Sequence, residues 1–317
     1  MAINVAALAG GVGGAKLADG LARSLPAGNL TVIVNTGDDF EHLGFSISPD
    51  LDTVTYTLAG LANPETGWGR RDESWNFLHE LERLGGPTWF QLGDRDLALH
   101  AERTRRLAAG ESLSSVTTAL AQRLGARATV LPMSDDRVRT RVETDRGVLP
   151  FQEYFVHHAC EPQVRSFHFA GSEDARPAPG VLEAIEDARV VIFCPSNPWV
   201  SLDPILSLGD LARAVQKKPV VGVSPIVGGK ALRGPAAKMF AELGIEPSAV
   251  SVAEHFRKYL DAFVIDDADS EQKHEIENLG MEVFVTDAVM QTADDRVRLA
   301  RDVLSLAEVV LVNGQAA

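Results

Sequence analysis

The sequence predicts an α/β fold: a doubly wound, mostly parallel sheet with a helical insertion and an edge hairpin. Short, almost wholly apolar runs alternate with helical periodicity, the first run leads through a glycine-rich turn into a helix, and two stretches interrupt the alternation. Apolar runs of this kind suit strands covered on both faces, the condition inside a parallel sheet.

The first unit, Ile3 to Leu25, reads as strand, turn (Gly10-Gly11-Val12-Gly13-Gly14-Ala15-Lys16) and helix. Further strands are expected at Leu30 to Val34, Ala128 to Leu131, Val190 to Cys194, Val220 to Val223, Ala262 to Ile265 and Val283 to Val285. Helices Pro204 to Val215, Glu271 to Leu279 and Asp294 to Leu306 supply cover. Between residues 53 and 124 the strand signal fades, and helices are expected at Thr53 to Leu61, Glu73 to Leu84, Leu97 to Ala109 and Ser112 to Leu124. Val138 to Phe169 alternates in β fashion about the turn Asp145-Arg146-Gly147, as a hairpin on the sheet's edge would. With no repeat, low-complexity stretch or flexible linker, residues 1–317 are expected to form one domain.

The 317 residues are 45% apolar, enough for a substantial core. No basic leader and no run of about 18 apolar residues occurs, so a cytoplasmic protein that neither spans nor anchors in a membrane is expected. Cys160 and Cys194 form no CxxC pair or disulfide framework, which suits a reducing compartment. A net charge of −14 repels nucleic acid, so small molecules are the expected partners. A phosphorylated ligand then needs its charge met locally, by backbone amides, a few basic residues or a cation.

The glycine turn has the makings of such a site. Glycines let the backbone approach an anion, the following helix directs its free N–H groups and positive end to the same place, and Lys16 adds a charge. It is neither a P-loop, since Ala15-Lys16-Leu17 stands where Gly-Lys-Ser/Thr belongs, nor a dinucleotide fingerprint, since Lys16 takes the place of the third glycine. A tight strand-to-helix turn alone explains it equally well.

Ligands of open parallel sheets bind beyond the carboxyl ends of strands. After Val34 come Asn35-Thr36-Gly37-Asp38-Asp39 and then Ser48-Pro49-Asp50-Leu51-Asp52-Thr53, so Asp38, Asp39, Asp50 and Asp52 crowd one neighbourhood. Clustered hard oxygen ligands suit Mg2+ with a bound phosphate, whereas helix capping is the ordinary reading of Asp50 or Asp52. Trp89-Phe90-Gln91-Leu92-Gly93-Asp94-Arg95-Asp96, followed by His100 and Arg103-Thr104-Arg105-Arg106, suits a flat heterocycle with a polar tail or else a plain helix connection with solvated arginines. Trp68 and Trp75 belong to the same wall or to its packing. Pro195-Ser196-Asn197-Pro198 and Ser224-Pro225-Ile226-Val227-Gly228-Gly229-Lys230, with Gly234-Pro235 opening the next helix, can read a purine edge and reach phosphates, or serve as ordinary turns. No zinc spacing and no G-x-S-x-G elbow occurs, and His157-His158 reads as a partly exposed pair.

Taken in order, the glycine turn through Leu17, the Asn35 and Ser48 segments, Leu92-Gly93-Asp94-Arg95-Asp96, Leu131-Pro132-Met133-Ser134-Asp135-Asp136, Pro195-Ser196-Asn197-Pro198 and Ser224-Pro225-Ile226 resemble the CofD-type 2-phospho-L-lactate transferases almost to the C-terminus. The resemblance implies a Rossmann-like homodimer with an added helical part. It also implies Mg2+-dependent transfer of a phosphoester-linked three-carbon acid from a guanosine diphosphate carrier to the deazaflavin Fo, releasing GMP, in the making of coenzyme F-420. By the same resemblance, Gly11, Gly13, Gly14, Lys16, Ser224, Gly228 and Gly229 hold donor phosphates, and Ser196, Asn197 and Pro198 lie near the guanosine. Asp38, Asp39, Asp50 and Asp52 hold Mg2+ or the acceptor, Trp89, Gln91 and Arg95 border the acceptor, and Asp50 or Asp52 takes or orients the attacking hydroxyl's proton. Phospholactate, phosphoenolpyruvate and phosphoglycerate stay open as the acid. Two rivals stand: a CofD-like nucleotide-sugar-binding regulator, disfavoured by Phe40-Glu41-His42-Leu43-Gly44-Phe45 where a glycine- and serine-rich stretch is expected, and an NAD-dependent oxidoreductase, disfavoured by Lys16.

Overall fold

The computed structural model of the protein describes residues 3–231 and 236–316, so the helix start expected at Gly234-Pro235 lies outside the described residues. The chain begins with β1 (Val5–Ala9), α1 (Gly11–Ser24), β2 (Leu30–Val34), β3 (Phe40–His42) and β4 (Phe45–Ile47). The helices α2 (Pro49–Leu58), α3 (Asn76–Arg83), α4 (Asp94–Ala108) and α5 (Leu113–Leu124) follow. Next come β5 (Thr129–Pro132), β6 (Arg139–Thr144), β7 (Gly147–Pro150), β8 (Val164–Ala170), α6 (Val181–Asp187), β9 (Val190–Phe193), α7 (Asp203–Leu206) and α8 (Gly209–Val215). The last third holds β10 (Val220–Val223), β11 (Ile226–Val227), β12 (Lys230–Ala231), α9 (Ala236–Glu242), α10 (Ala249–His255), β13 (Ala262–Asp266), α11 (Lys273–Glu277), β14 (Glu282–Thr286) and α12 (Ala293–Ala316).

Seven strands form one sheet in the order β14-β13-β10-β9-β1-β2-β5, and every pairing in it is parallel. The apolar runs predict this because successive side chains feed opposite faces. Ala6, Leu8, Val191 and Phe193 enter one apolar cluster with Ile185, Leu211 and Val252 of α6, α8 and α10. Val5, Ala7, Val190 and Ile192 enter the other with Leu17, Val54 and Val303 of α1, α2 and α12. Each fully buried Val, Leu or Ile contributes about 1.5–3 kcal/mol, so the sheet's two faces dominate the stability.

The crossing of α1 and α12 relies on Gly20, where a Cβ would meet the Arg296 carbonyl oxygen at 2.0 Å. The neighbouring Asp19, fully buried, accepts from Arg23 (2.9 Å), Arg296 (3.1 Å) and Arg127 (3.4 Å). Three cations on one carboxylate tie α1, the α5–β5 connection and α12 together.

Several elements differ from expectation. Val138 to Phe169 is not a hairpin on the edge of the main sheet but a separate three-stranded antiparallel sheet, β7-β6-β8, with a π-helical turn at Glu153–His157. β6 is paired on both sides within this small sheet, so it has no free edge for β5. The helix expected over Pro204 to Val215 breaks into α7 and α8, because Leu208 is extended (ψ 106°). The β3–β4 hairpin went unforeseen. Its turn places Leu43 (φ 53°) and Gly44 (φ 77°) in the left-handed region that a two-residue I′ hairpin requires, and leucine gives no signal for that conformation. Among the described residues no helix is long and apolar enough to cross a membrane.

Candidate active site

β1 leads to β2 on one side of the sheet and β9 lies on the other, so strand order reverses between β1 and β9. Doubly wound folds open their ligand crevice at such a switch point. Here a pocket of about 860 Å³ is lined by the start of α1, by the turns after β9 and β10, and by residues of α2 and α4.

The glycine turn's sequence has a packing cause as well as the expected one. A Cβ on Gly13 would meet the Pro195 carbonyl oxygen at 2.2 Å, and one on Gly14 the Ser196 Oγ at 2.5 Å. Two of the glycines therefore let the β1 and β9 turns touch. Ser196 Oγ locks that contact, accepting from Gly10 N (3.1 Å) and donating to Gly10 O (2.9 Å). Gly11, at φ 61°, sends its N–H to Asp50 Oδ1 (2.8 Å). Gly11, Gly13 and Lys16 line the pocket and Gly14 does not. Lys16 Nζ donates to the Met290 carbonyl (2.6 Å), which fixes the ammonium at the wall.

The other expected donor residues divide. Ser196, Asn197 and Ser224 line the pocket, but their side chains also hold their own turns. Asn197 Oδ1 accepts from Trp199 N (3.1 Å) and Val200 N (3.4 Å), and Ser224 Oγ donates to Ile226 O (2.9 Å). Pro198, Gly228 and Gly229 lie off the pocket wall. Gly228 (φ 55°) and Gly229 (φ 71°) form the I′ turn between β11 and β12, and Gly228 N donates to Asp269 (2.9 Å). The ordinary turn reading describes them.

The four aspartates separate into two pairs. Asp38 and Asp50 line the pocket. Burial, then Asp50's charge, raises the Asp38 carboxyl well above the ordinary range, and burial lifts Asp50 to about 6. Asp50 Oδ2 accepts from Asn35 Nδ2 (3.0 Å), which also donates to Val200 O (3.0 Å). Asp38 Oδ1 is buried without a hydrogen-bond partner. An orphaned oxygen beside a second carboxylate of like charge fits a divalent cation. Asp39 and Asp52 fit it less well. Asp39 has a buried, unpartnered Oδ1 like that of Asp38, but it is off the pocket wall, its Oδ2 accepts from Ser48 Oγ (2.8 Å), and burial raises it to about 7 against the pull of Arg139. Asp52 lines the pocket, but both its oxygens are held by the buried Arg103 guanidinium. Of the four expected carboxylates, Asp38 and Asp50 share the pocket wall without a cationic partner, and Asp52 shares it with both oxygens held by Arg103.

The acceptor-side expectations also divide. Trp89 and Gln91 line the pocket, whereas Arg95 is exposed and off its wall. Trp89 stacks on His157 (5.1 Å, 17°) and meets His42 edge-on (5.0 Å, 74°), so the small sheet and the helical insertion meet in one aromatic wall. Trp68 lines the pocket and is 44% exposed, while Trp75 does not line it.

Sequence reasoning named Asp52, Asp96, His100 and Arg103 but not Tyr56, nor the polar network they form across α2 and α4. Tyr56 Oη donates to Asp96 Oδ1 (2.5 Å), and burial and two nearby carboxylates keep the phenol protonated. His100 and Arg103 follow on the same face of α4, both buried. The spacing of residues 96, 100 and 103, matched by 52 and 56 on α2, was the available signal. Asp52, Asp96 and His100 have ligand atoms within 4.8 Å of one another, yet Arg103 on Asp52 and Tyr56 on Asp96 fill the places a cation would take. Phe151 and Phe155, stacked at 5.4 Å on the π-helical side, were also missed.

A doubly wound sheet with a large crevice at its switch point, lined by a glycine-rich helix start, an acidic pair and an aromatic wall, is the architecture of an α/β protein with a small-molecule site. Residues 5–304 match the family described as 2-phospho-L-lactate transferase CofD. A phosphoenolpyruvate transferase of Streptomyces griseus is 45% identical over 97% of this chain and 99% of its own, and a 2-phospho-L-lactate transferase of Methanopyrus kandleri is 42% identical over the same shares. A UPF0052-family protein of Bacillus halodurans, a solved structure, superposes with TM-score 0.61 at 15% identity, covering 96% of this chain and 99% of that one, which shows the fold alone. The chain belongs to the CofD family. It is a transferase serving coenzyme F-420 biosynthesis.

Proposed function

We propose that the protein transfers a phosphoester-linked three-carbon acid, with phosphoenolpyruvate as that acid, from its guanosine diphosphate carrier to a hydroxyl of the deazaflavin Fo, releasing GMP. The observation that carries the reading is the single 860 Å³ pocket that joins the α1 start and the Asp38–Asp50 pair to the aromatic wall around Trp89. The choice of acid is supported by the relative from Streptomyces griseus.

Phosphoryl transfer needs the attacking oxygen in line with the leaving oxygen, and most of the catalysis comes from positioning and charge stabilisation. The first turn of α1 offers N–H groups and the helix dipole to the diphosphate, and Lys16 adds a charge held in place by Met290. Asp38 and Asp50 would hold Mg2+, which supplies neutralisation of charge developing on the diphosphate when bound. Asn35 and Gly11 fix the direction of the Asp50 carboxylate. Asp50, on the pocket wall with its carboxylate direction fixed, is placed to orient the attacking hydroxyl. Asp52, with both its oxygens held by Arg103, is less free to meet that hydroxyl. The aromatic wall excludes water and seats the tricyclic ring.

Mass spectrometry of the product formed from Fo and the three guanylated acids in competition tests the substrate. The dehydro product of phosphoenolpyruvate should dominate, and a lactyl or glyceryl product in its place overturns the choice of acid. GDP should raise the melting temperature where NAD and UDP-sugars do not. Asp50→Asn should lower kcat by orders of magnitude in a folded protein, and near-normal turnover removes Asp50 from the chemistry. We also take the protein to be a cytoplasmic homodimer, which sedimentation equilibrium checks for the assembly.

A further inference from the structure

Along β6 the side chains of Thr140, Val142 and Thr144 share one face and are buried. Val142 joins an apolar cluster. Thr144 Oγ1 closes the turn that follows the strand, donating to Gly147 O (2.7 Å) and accepting from Arg146 N (3.1 Å). Thr140 Oγ1 is buried with no hydrogen-bond partner. An unpaired buried hydroxyl costs stability that a valine of the same shape would avoid, so packing alone gives no reason for threonine at position 140.

The hydroxyl stands against the turn that carries Asp38. Thr140 N donates to Gly37 O (2.7 Å) and Arg139 Nη1 to Thr36 O (3.5 Å), which joins β6 to the end of β2. A Cβ on Gly37 would meet Thr140 Oγ1 at 2.5 Å, so the glycine is what admits the hydroxyl. Asn35 holds the same turn, its Oδ1 accepting from Gly37 N (2.7 Å) while its Nδ2 donates to Asp50 Oδ2 (3.0 Å). Asp38 Oδ1 is likewise buried without a partner. Burial and the charge of Asp50 raise the Asp38 carboxyl, and the Thr140 and Asn35 side chains pull it back down. Asp39 has other partners, Ser48 Oγ and the charge of Arg139 from the opposite face of β6.

We infer that Thr140 is a positioning residue for cation binding: with a divalent cation on Asp38 and Asp50, the Thr140 hydroxyl donates to the Asp38 carboxylate and fixes which way that carboxylate presents its oxygens. Carboxylates that ligate metals are themselves held by hydrogen bonds of this kind. Thr140 is off the pocket wall, so it acts through Asp38 and touches no substrate. The inference rests on the proposed Asp38–Asp50 cation site, and it gives the small antiparallel sheet a part in that site.

Thr140→Val removes the hydroxyl and keeps the shape, Thr140→Ser keeps the hydroxyl, and Asp38→Asn removes the ligand. The probe is Mn2+, titrated by electron paramagnetic resonance into each protein with saturating GDP, beside melting curves taken without divalent cation. Thr140→Val should bind Mn2+ about tenfold more weakly than the wild type, the low end of the range for an outer partner of a metal ligand. Thr140→Ser should stay close to the wild type, and Asp38→Asn should lose the site. Without cation, Thr140→Val should melt no lower than the wild type, because the hydroxyl it lacks was unpaired. Wild-type Mn2+ affinity in Thr140→Val, or an equal loss in Thr140→Ser, overturns the inference. So does a cation-free melting temperature that falls in Thr140→Val, which would make the hydroxyl a support of the fold. Mn2+ binding that survives in Asp38→Asn, or that the wild type lacks, overturns the Asp38–Asp50 site itself and the inference with it.

Discussion

Gly13→Ala tests whether the glycine turn acts by letting two loops touch. The added Cβ would lie 2.2 Å from the Pro195 carbonyl oxygen, where Cβ contacts below 3.0 Å essentially never occur. The β1 and β9 turns must therefore part by about 0.8 Å, a displacement of the size that costs an enzyme about a hundredfold in rate. Overpacking of this kind destabilises by about 1–3 kcal/mol. At about 2.1 cal/mol/K of unfolding entropy per residue, the 317-residue chain loses between about 1.5 and 4.5 °C in melting temperature. Gly28→Ala is the control: nothing lies within 4 Å of its Cβ and it is off the pocket wall, but its φ of 87° makes alanine strained by about 1–2 kcal/mol. The two variants should thus melt at similar temperatures while Gly13→Ala alone loses about two orders of magnitude in kcat/KM. The assay is product formation from Fo beside a melting curve for each variant. Equal turnover in the two variants, or wild-type turnover in Gly13→Ala, refutes the argument that the glycine fixes the spacing of the crevice walls.

Asp39 is buried and lifted to about 7 from an ordinary 3.8, so the native state holds a proton the unfolded chain releases. The stability this confers is complete below about pH 4 and is lost as pH rises through 7, so Asp39→Asn should melt like the wild type near pH 4 and be the more stable by up to about 4 kcal/mol at pH 8; a difference that does not grow with pH contradicts it. Because Asp38 and Asp50 are raised in the same direction, Mg2+ should stabilise the wild type more at pH 7.5 than at pH 5.5, and Asp38→Asn should abolish the increment. A magnesium effect equal at both pH values would remove these carboxylates as its site. Asp19→Ala leaves three arginines facing one another and should cost about 3 kcal/mol, a fall of about 4–5 °C, with kcat intact because Asp19 is off the pocket wall. An unchanged melting temperature would show that the cluster contributes nothing.

The parallel sheet was legible because burial on both faces leaves a purely local mark: the strands of the main sheet are short and mostly apolar, and each after β1 is preceded by a helix. The glycine turn and the acidic neighbourhood were legible for a similar reason, since strand-end turns of such sheets converge and turn residues are adjacent in sequence. Which of those residues face a ligand was not local information. Gly228 and Gly229 form a hairpin turn off the pocket wall, and the pairing of Val227 with Lys230 that makes it one is not visible in the glycines themselves. That Asp52 meets an arginine could not be read locally, because α4 delivers Arg103 from 51 positions away.

The order of apolar and glycine residues by itself determined a doubly wound sheet and the strand-end turns where chemistry gathers, since periodicity and backbone freedom are properties of neighbouring residues. The tertiary structure alone decided the pairing of charges, the holding of Asp52 by Arg103, and the placing of Asp38 and Asp50 on the pocket wall with Asp39 off it. Those depend on which buried groups meet across the fold, where one close cation or one missing partner outweighs anything a residue's sequence neighbours can supply.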